Sequence, residues 1–136
     1  MTSLNTNVPK PALNMTGLWY ALGAMLLILV GIFSLLRGGP DISGNDKLVH
    51  CLTYMVLSAW FSILLVRVRG LIFVFVGLVF YGYLIERLQG MTDYRFEDFA
   101  DMLANAIGVF LGLVFYFSPV RKLLLVTENF LFRLKR

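Results

Sequence analysis

Long apolar runs separated by short polar segments dominate this sequence. Four of them cover residues 18–36, 48–66, 71–85 and 102–118. A helix needs about 20 mostly apolar residues to cross a hydrocarbon core that is ~30 Å thick. The first two runs have this length, and the last two reach it when residues 86–89 and 98–101 are included as helical turns. The pattern predicts an all-α, polytopic membrane protein with four transmembrane helices.

The connections between the runs predict how these helices are arranged. Only residues 67–70 separate the second run from the third, and short loops make sequential helices neighbours in space. We therefore expect an antiparallel bundle, with Asn45 or Asp46 capping the second helix. The domain organisation that follows is a flexible tail over 1–16, a four-helix domain over 17–120 and a basic tail over 121–136.

Composition and charge support a membrane protein and predict its orientation. The chain is 59% apolar with a net charge of +4, but its basic residues lie in loops and tails rather than in one patch, so nucleic acid is not an expected partner. Most of them fall on one side of the predicted bundle: Lys10, Arg67, Arg69, Arg121, Lys122, Arg133, Lys135 and Arg136. Because positively charged loops stay in the cytoplasm, both termini are predicted to be cytoplasmic.

Two further patterns indicate packing surfaces. Gly108 and Gly112 form a G-x-x-x-G motif in the fourth run, which favours close contact between helices of the same chain; homodimerisation is the alternative. In the C-terminal tail, one helical face carries Leu123, Val126, Phe130 and Leu134, with basic residues at both ends. This pattern is typical of an interfacial helix on anionic lipid headgroups, although a basic topology signal explains it equally well.

Polar residues interrupt the apolar runs mainly at one end of the predicted bundle. Residues three or four apart share a helical face, which groups the polar side chains of each run. Ionisable residues at a hydrocarbon boundary are costly and commonly mark a functional site. We therefore predict an outward-facing polar pocket with these ligand-binding residues: Lys47, His50, Glu86, Gln89, Arg95, Asp98, Asp101 and Asn105.

The same residues carry a family resemblance. The segments Asp46-Lys47-x-x-His50-x-x-x-Tyr54, Glu86-x-x-Gln89 and Arg95-x-x-Asp98-x-x-Asp101-x-x-x-Asn105-x-x-Gly108-x-x-x-Gly112 resemble the signature of the VanZ-like family over roughly residues 45–112. The resemblance implies a small four-helix protein of the bacterial cytoplasmic membrane, with a VanZ-like domain over 17–120. It places the protein in the cell envelope and implies no defined reaction. The namesake of the family is associated with teicoplanin resistance.

The pocket suggests ligand binding as its first function. A lipid headgroup, a wall precursor or a glycopeptide-like molecule would lie at the outer leaflet. Lys47 and Arg95 would pair with its phosphate or carboxylate groups, while Gln89 and Asn105 would donate hydrogen bonds. Membrane lipids are therefore the expected partners, and homo-oligomerisation remains open.

Two alternatives stay open beside ligand binding. In the first, the protein is an intramembrane enzyme acting on an envelope lipid, with His50 as acid or base and Glu86 or Asp101 orienting it. In the second, the polar residues only hydrogen-bond across helices and hold the bundle together. No spacing such as H-E-x-x-H supports a metal site, so neither a metal nor another cofactor is expected.

Overall fold

The structure, a computed structural model, describes residues 13–36, 45–93 and 98–134, with side chains as far as residue 131. The helices in this part of the chain are α1 (Thr16–Leu35), α2 (Asp46–Leu64), α3 (Gly70–Gly90), α4 (Phe99–Leu113), a 3-10 turn (Val114–Phe117) and α5 (Val120–Leu134). Helices α1, α2 and α3, and α4 together with the 3-10 turn, are each long and apolar enough to cross a membrane. The prediction of an all-α protein with four candidate membrane spans is confirmed.

The polar ends of these spans agree with the sequence prediction, except at the start of α2. Glu86 and Gln89 lie in the last part of α3, and Asp98 is the N-cap of α4, where its carboxylate accepts a hydrogen bond from the backbone N–H of Ala100 (2.8 Å). At α2, Asn45 occupies the N-cap position, but its side chain makes no capping hydrogen bond. Asp46 lies inside the first turn, where the helix dipole favours a negative charge.

Small residues bring α4 close to α2. A Cβ atom on Gly108 would overlap the backbone carbonyl of Cys51, and one on Gly112 would overlap that of Met55. Only glycine permits such an approach, and close backbone packing stabilises helix pairs in lipid. Both glycines therefore pack within the chain, as the sequence favoured. The homodimer alternative would have to use other residues.

Helix α1 is held by side-chain donors that reach its backbone carbonyls. Among the described residues, such hydrogen bonds run from the indole N–H of Trp60 to Trp19 (3.1 Å), from the hydroxyl of Tyr81 to Leu27 (2.6 Å), and from the side-chain amide of Gln89 to Ser34 (2.7 Å). Cavities of about 260 Å³ and 580 Å³ lie beside α1 and are lined by different residues of this helix. The larger one is lined almost entirely by apolar residues of α1, α2 and α3, including Leu27, Phe61 and Leu78.

The segment predicted as a basic tail contains helix α5, which packs against the beginning of α1. Glu128 is fully buried, and its carboxylate accepts hydrogen bonds from the backbone N–H groups of Asn14 (2.8 Å) and Met15 (2.9 Å) and from the indole N–H of Trp19 (2.7 Å). Leu13 is also buried. The last residues of the segment predicted as a flexible tail over 1–16 are therefore fixed by α5.

Helix α5 also contacts the end of α2, and one of its faces is exposed. Arg121 is buried and donates hydrogen bonds to the carbonyls of Ile63 (2.5 Å) and Leu65 (3.2 Å), which lack helical partners at the end of α2. Leu123, Val126 and Phe130 are exposed. They form the apolar face that the sequence predicts for an interfacial helix. The side chain of Leu134 lies outside the described part.

Candidate functional site

Lys47 connects the start of α2 to the start of α4. Its ammonium lies 2.9 Å from Oδ2 of Asp98 and 3.4 Å from Oδ1 of Asp101. The hydrogen bond from Lys47, assisted by the backbone N–H of Ala100, holds the pKa of the Asp98 carboxyl below its usual range. Lys47 was predicted to bind a phosphate or carboxylate of the ligand, yet it already pairs with two carboxylates of its own chain.

His50 lies deeper in the same cluster, between residues of α2 and α4. Its Nδ1 is 3.0 Å from the amide oxygen of Asn105, which can only accept, so in this arrangement Nδ1 carries the proton. Its Nε2 lies 3.6 Å from Oδ1 of Asp46 and 3.9 Å from Oδ2 of Asp101. The ring is therefore fixed on one side and faces two carboxylates on the other.

Asp46, His50 and Asp101 also form a group that could hold a cation. One ligand atom of each lies within 4.8 Å of the other two. The sequence predicts no metal here, because no spacing such as H-E-x-x-H supports one. Carboxylate and imidazole ligands suit several divalent ions, so the trio does not select one of them.

Glu86 brings α3 to the cluster. The side chain is buried, and Oε1 accepts a hydrogen bond from the backbone N–H of Asp98 (2.8 Å). This bond gives the carboxylate a backbone donor at the start of α4, and Arg95, another residue of the predicted pocket, lies outside the described residues.

Gln89, predicted to bind the ligand, contacts α1, and Tyr54 is buried in the bundle. Gln89 uses its amide N–H on the carbonyl of Ser34 in α1 and so ties two helices together. Tyr54 is buried beside Gly82 and Asn105. Its hydroxyl makes no hydrogen bond with any residue that the structure describes.

The smaller cavity, which we call the α1–α2 cavity, opens beside this cluster. Its volume is about 260 Å³. Asp46 and His50 provide charged or titratable groups at its wall, and Ser34 and Thr53 are also polar. The remaining lining residues are apolar: Leu26, Leu29, Val30, Phe33 and Val49. The described lining includes no lysine or arginine, so the cavity combines a polar part at Asp46 and His50 with apolar walls.

Sequence reasoning missed two residues that the structure makes prominent. Glu128 was treated as part of a basic tail, although a carboxylate seven residues after Arg121 returns to the same face of a helix. That spacing is the signal that could have identified both as packing residues. Ser58, buried in α2, donates a hydrogen bond to the backbone carbonyl of Val109 in α4 (2.7 Å). A serine within an apolar run gives no comparable signal.

Comparison with known proteins leaves the family open. No protein-family model matches the chain, and no match to it was found among curated proteins or solved structures. The class that the structure defines is a helical protein with four candidate membrane spans and a polar cluster formed by residues from three of them. The resemblance to the VanZ-like family stays a prediction.

Proposed function

We propose that this protein is a multi-pass membrane protein that binds an amphiphile, with the headgroup of a membrane lipid or lipid-linked wall precursor at the polar cluster. The α1–α2 cavity carries the proposal. It has Asp46 and His50 at a wall that otherwise consists of apolar side chains such as Leu29 and Phe33. A molecule with a polar head and a hydrocarbon chain matches both parts, whereas a fully polar ligand would leave the apolar walls without a partner.

The cavity volume narrows the class of ligand. Pockets for drug-sized molecules typically occupy about 300–1,000 Å³. At about 260 Å³, the α1–α2 cavity has room for a headgroup and the first part of a chain, but not for a whole glycopeptide. We therefore favour a lipid or lipid-linked precursor over the glycopeptide-like ligand.

In the membrane, we propose an antiparallel bundle with the polar cluster on the outer side and both termini in the cytoplasm. The bond from Asp98 to Glu86 supports this topology, because it joins the end of α3 to the start of α4. The bond from Gln89 to Ser34 joins the ends of α3 and α1. Arg67 lies exposed in the connection between α2 and α3, as expected for a cytoplasmic loop.

Membership of the VanZ-like family, and with it a place in the bacterial cell envelope, belongs to the same proposal. Residues from separate segments of the resemblance meet in one cluster, including Lys47 with Asp98 and His50 with Asn105. Ionisable residues that lie together within a membrane protein commonly mark a functional site. Teicoplanin resistance is a property of the namesake and is not proposed for this chain.

Native mass spectrometry of the protein extracted gently from its own membrane tests lipid binding. A Leu29→Trp variant fills the α1–α2 cavity, and Leu111→Trp places the same side chain at an exposed position of α4 as a matched control. We expect the parent and Leu111→Trp to retain a lipid that Leu29→Trp loses. Equal lipid retention by all three folded proteins would contradict the proposal and favour a purely structural role of the cluster.

An intramembrane enzyme is the second candidate, favoured by the orientation of His50. Asn105 fixes one ring nitrogen, and the other faces Asp46 and Asp101, as general acid or base chemistry requires of a positioned imidazole. Mass analysis of native lipids incubated with the protein tests this role. Conversion by the parent but not by His50→Gln, with lipid retention intact in both, would support it. No conversion by the parent would dismiss it.

A further inference from the structure

Helix α5 lies across the ends of two candidate membrane spans. Near its beginning, Arg121 donates hydrogen bonds to the carbonyls of Ile63 and Leu65 at the end of α2. Seven residues later, Glu128 accepts a hydrogen bond from the backbone N–H of Met15, just before α1 begins. At 1.5 Å per residue these contacts are about 10 Å apart along α5, which matches the usual spacing between packed helices. Helix α5 therefore runs from one helix end to the next and crosses the two spans.

The side of α5 that faces away from these contacts is apolar. Successive residues of a helix are about 100° apart, so Leu123, Val126 and Phe130 share one side, which we call the α5 apolar face. Their side chains are 65%, 65% and 61% exposed. Arg121 and Glu128 lie on the opposite side. An exposed apolar face of this kind marks a surface for lipid or for another protein.

A pair of tryptophans indicates the level of α5 in the membrane. The indole N–H of Trp19, in the first turn of α1, donates a hydrogen bond to Glu128 (2.7 Å). Trp60, in the last turns of α2, lies edge-on to Trp19 with 6.1 Å between the ring centroids. Tryptophan is enriched where membrane spans meet the headgroups, because its ring is apolar and its N–H is polar. An apolar face at this level lies beside lipid.

The charges of α5 favour an anionic lipid surface over a second copy of the chain. Glu128 is the only acidic residue in the sequence 120–136, and its side chain is fully buried. Lys122 is exposed one turn before Val126, and the sequence adds Arg133, Lys135 and Arg136. Anionic headgroups attract a basic segment, whereas the same face of a second copy would bring like charges together.

We propose that α5 is an interfacial helix whose apolar face inserts between the lipids of one leaflet, with Lys122 at anionic headgroups. On the proposed topology this is the cytoplasmic leaflet. The α5 apolar face is a second lipid surface, at the end of α2 opposite the polar cluster, and it does not depend on a ligand in the α1–α2 cavity. Because Glu128 also fixes the beginning of α1, α5 joins the bundle to this leaflet.

Spin labels on the protein reconstituted in phospholipid vesicles test where the α5 apolar face lies. Labelled cysteines replace Val126 or Phe130 in a Cys51→Ser protein, which lacks the single native cysteine. Collisions with oxygen report lipid, and collisions with a water-soluble nickel chelate report water. A label at Phe110, exposed on α4, is the lipid control, and a label at Arg67, exposed between α2 and α3, is the aqueous control.

We expect the ratio of oxygen to nickel collisions at positions 126 and 130 to be close to that at position 110 and well above that at position 67. A ratio as low as at position 67 would show that the face lies in water and would overturn the proposal. Weak collisions with both reagents would show that protein covers the face, and would overturn it too.

Quenching of tryptophan fluorescence tests the headgroup. Trp19 and Trp60 are the only tryptophans of the sequence, and Trp19 contacts α5 directly. Brominated phosphatidylglycerol and brominated phosphatidylcholine are compared as quenchers in otherwise identical vesicles. We expect phosphatidylglycerol to be preferred about fivefold, as for one basic residue near an anionic surface. Lys122→Gln should lose most of this preference, and Arg87→Gln, which removes a positive charge near the end of α3, should keep it.

Equal quenching by the two lipids would overturn the anionic headgroup, and a preference that survives in Lys122→Gln would overturn the role of this lysine. The Leu29→Trp substitution, which tests the proposed function, should leave the collision ratios at α5 unchanged. The lipid surface at α5 and the ligand of the α1–α2 cavity can therefore fail separately.

Discussion

The buried carboxylate of Glu86, near the end of α3, accepts a hydrogen bond from the backbone N–H of Asp98, the N-cap of α4 (2.8 Å). This bond fixes the position at which α4 begins. Asp98 in turn presents its carboxylate to Lys47 of α2. The carboxylate of Glu86 thereby positions the carboxylate of Asp98 for its contact with Lys47. Residues of α2, α3 and α4 come together at the polar cluster in this way.

Replacing Glu86 tests this relationship. Glu86→Gln keeps a side-chain oxygen that can accept from Asp98, so we expect a loss of less than about 1 kcal/mol in the free energy of unfolding. Glu86→Leu leaves the partly buried N–H without that acceptor and should cost about 1–3 kcal/mol. Thermal unfolding in detergent, followed by circular dichroism, measures both. Equal stability of Glu86→Leu and the parent would show that the bond contributes nothing.

The contact between α2 and α4 gives a second prediction. Gly108→Ala places a methyl group against the backbone of Cys51, so the helices must separate, with a loss of about 1–3 kcal/mol in the free energy of unfolding. Gly77→Ala is the matched control, because a Cβ atom there meets nothing within 4 Å. Thermal unfolding of the two variants compares them directly. A Gly108→Ala protein as stable as Gly77→Ala would contradict the close packing.

The membrane spans could be predicted from the sequence because apolar length is a local property. The ends of α3 and α4 followed from the same argument, since Glu86 and Asp101 extend short runs to the required length. The grouping of His50 with Lys47, or of Asp101 with Asn105, follows from helical periodicity. These parts of the site needed no knowledge of tertiary structure.

The remaining features depend on how separate helices meet. Nothing local distinguishes the amide of Gln89, which bonds to α1, from a side chain that faces the cluster. The meeting of Asp46 with Asp101 around His50 requires the register between α2 and α4, which their close packing determines. The burial of Glu128 required knowing that α5 folds back onto the beginning of α1.

Glu128 provides a third prediction. Glu128→Ala removes the acceptor of the N–H groups of Asn14, Met15 and Trp19, so we expect a loss of about 3 kcal/mol in the free energy of unfolding, at ~1 kcal/mol for each donor. Asn129→Ala, at the next and exposed position, should be close to neutral. Limited proteolysis near the N-terminus provides the measurement. Equal cleavage rates in both variants would show that α5 does not hold this segment.

The same carboxylate predicts a pH dependence. Burial alone would raise the pKa of Glu128, but hydrogen bonds from Met15, Trp19 and Asn14 outweigh it, and the pKa lies below its usual range. Because the pKa of Glu128 is lower in the folded state than in the unfolded state, its ionised carboxylate stabilises the fold. This contribution is complete above the unfolded-state pKa of about 4.3 and is lost as the pH falls through the folded-state pKa. We expect the proteolytic protection of the parent to decline in this acid range. A parallel decline in Glu128→Gln would assign it to other groups.

The most direct test of amphiphile binding is covalent capture at the α1–α2 cavity. A diazirine analogue of leucine replaces Leu29, which lines the cavity, or Leu111, which is exposed on α4. After illumination in native membranes, mass spectrometry identifies the lipids attached to each position. The account predicts one dominant lipid class at position 29 and a mixture that follows the bulk membrane at position 111. The same bulk mixture at both positions would contradict a specific lipid site.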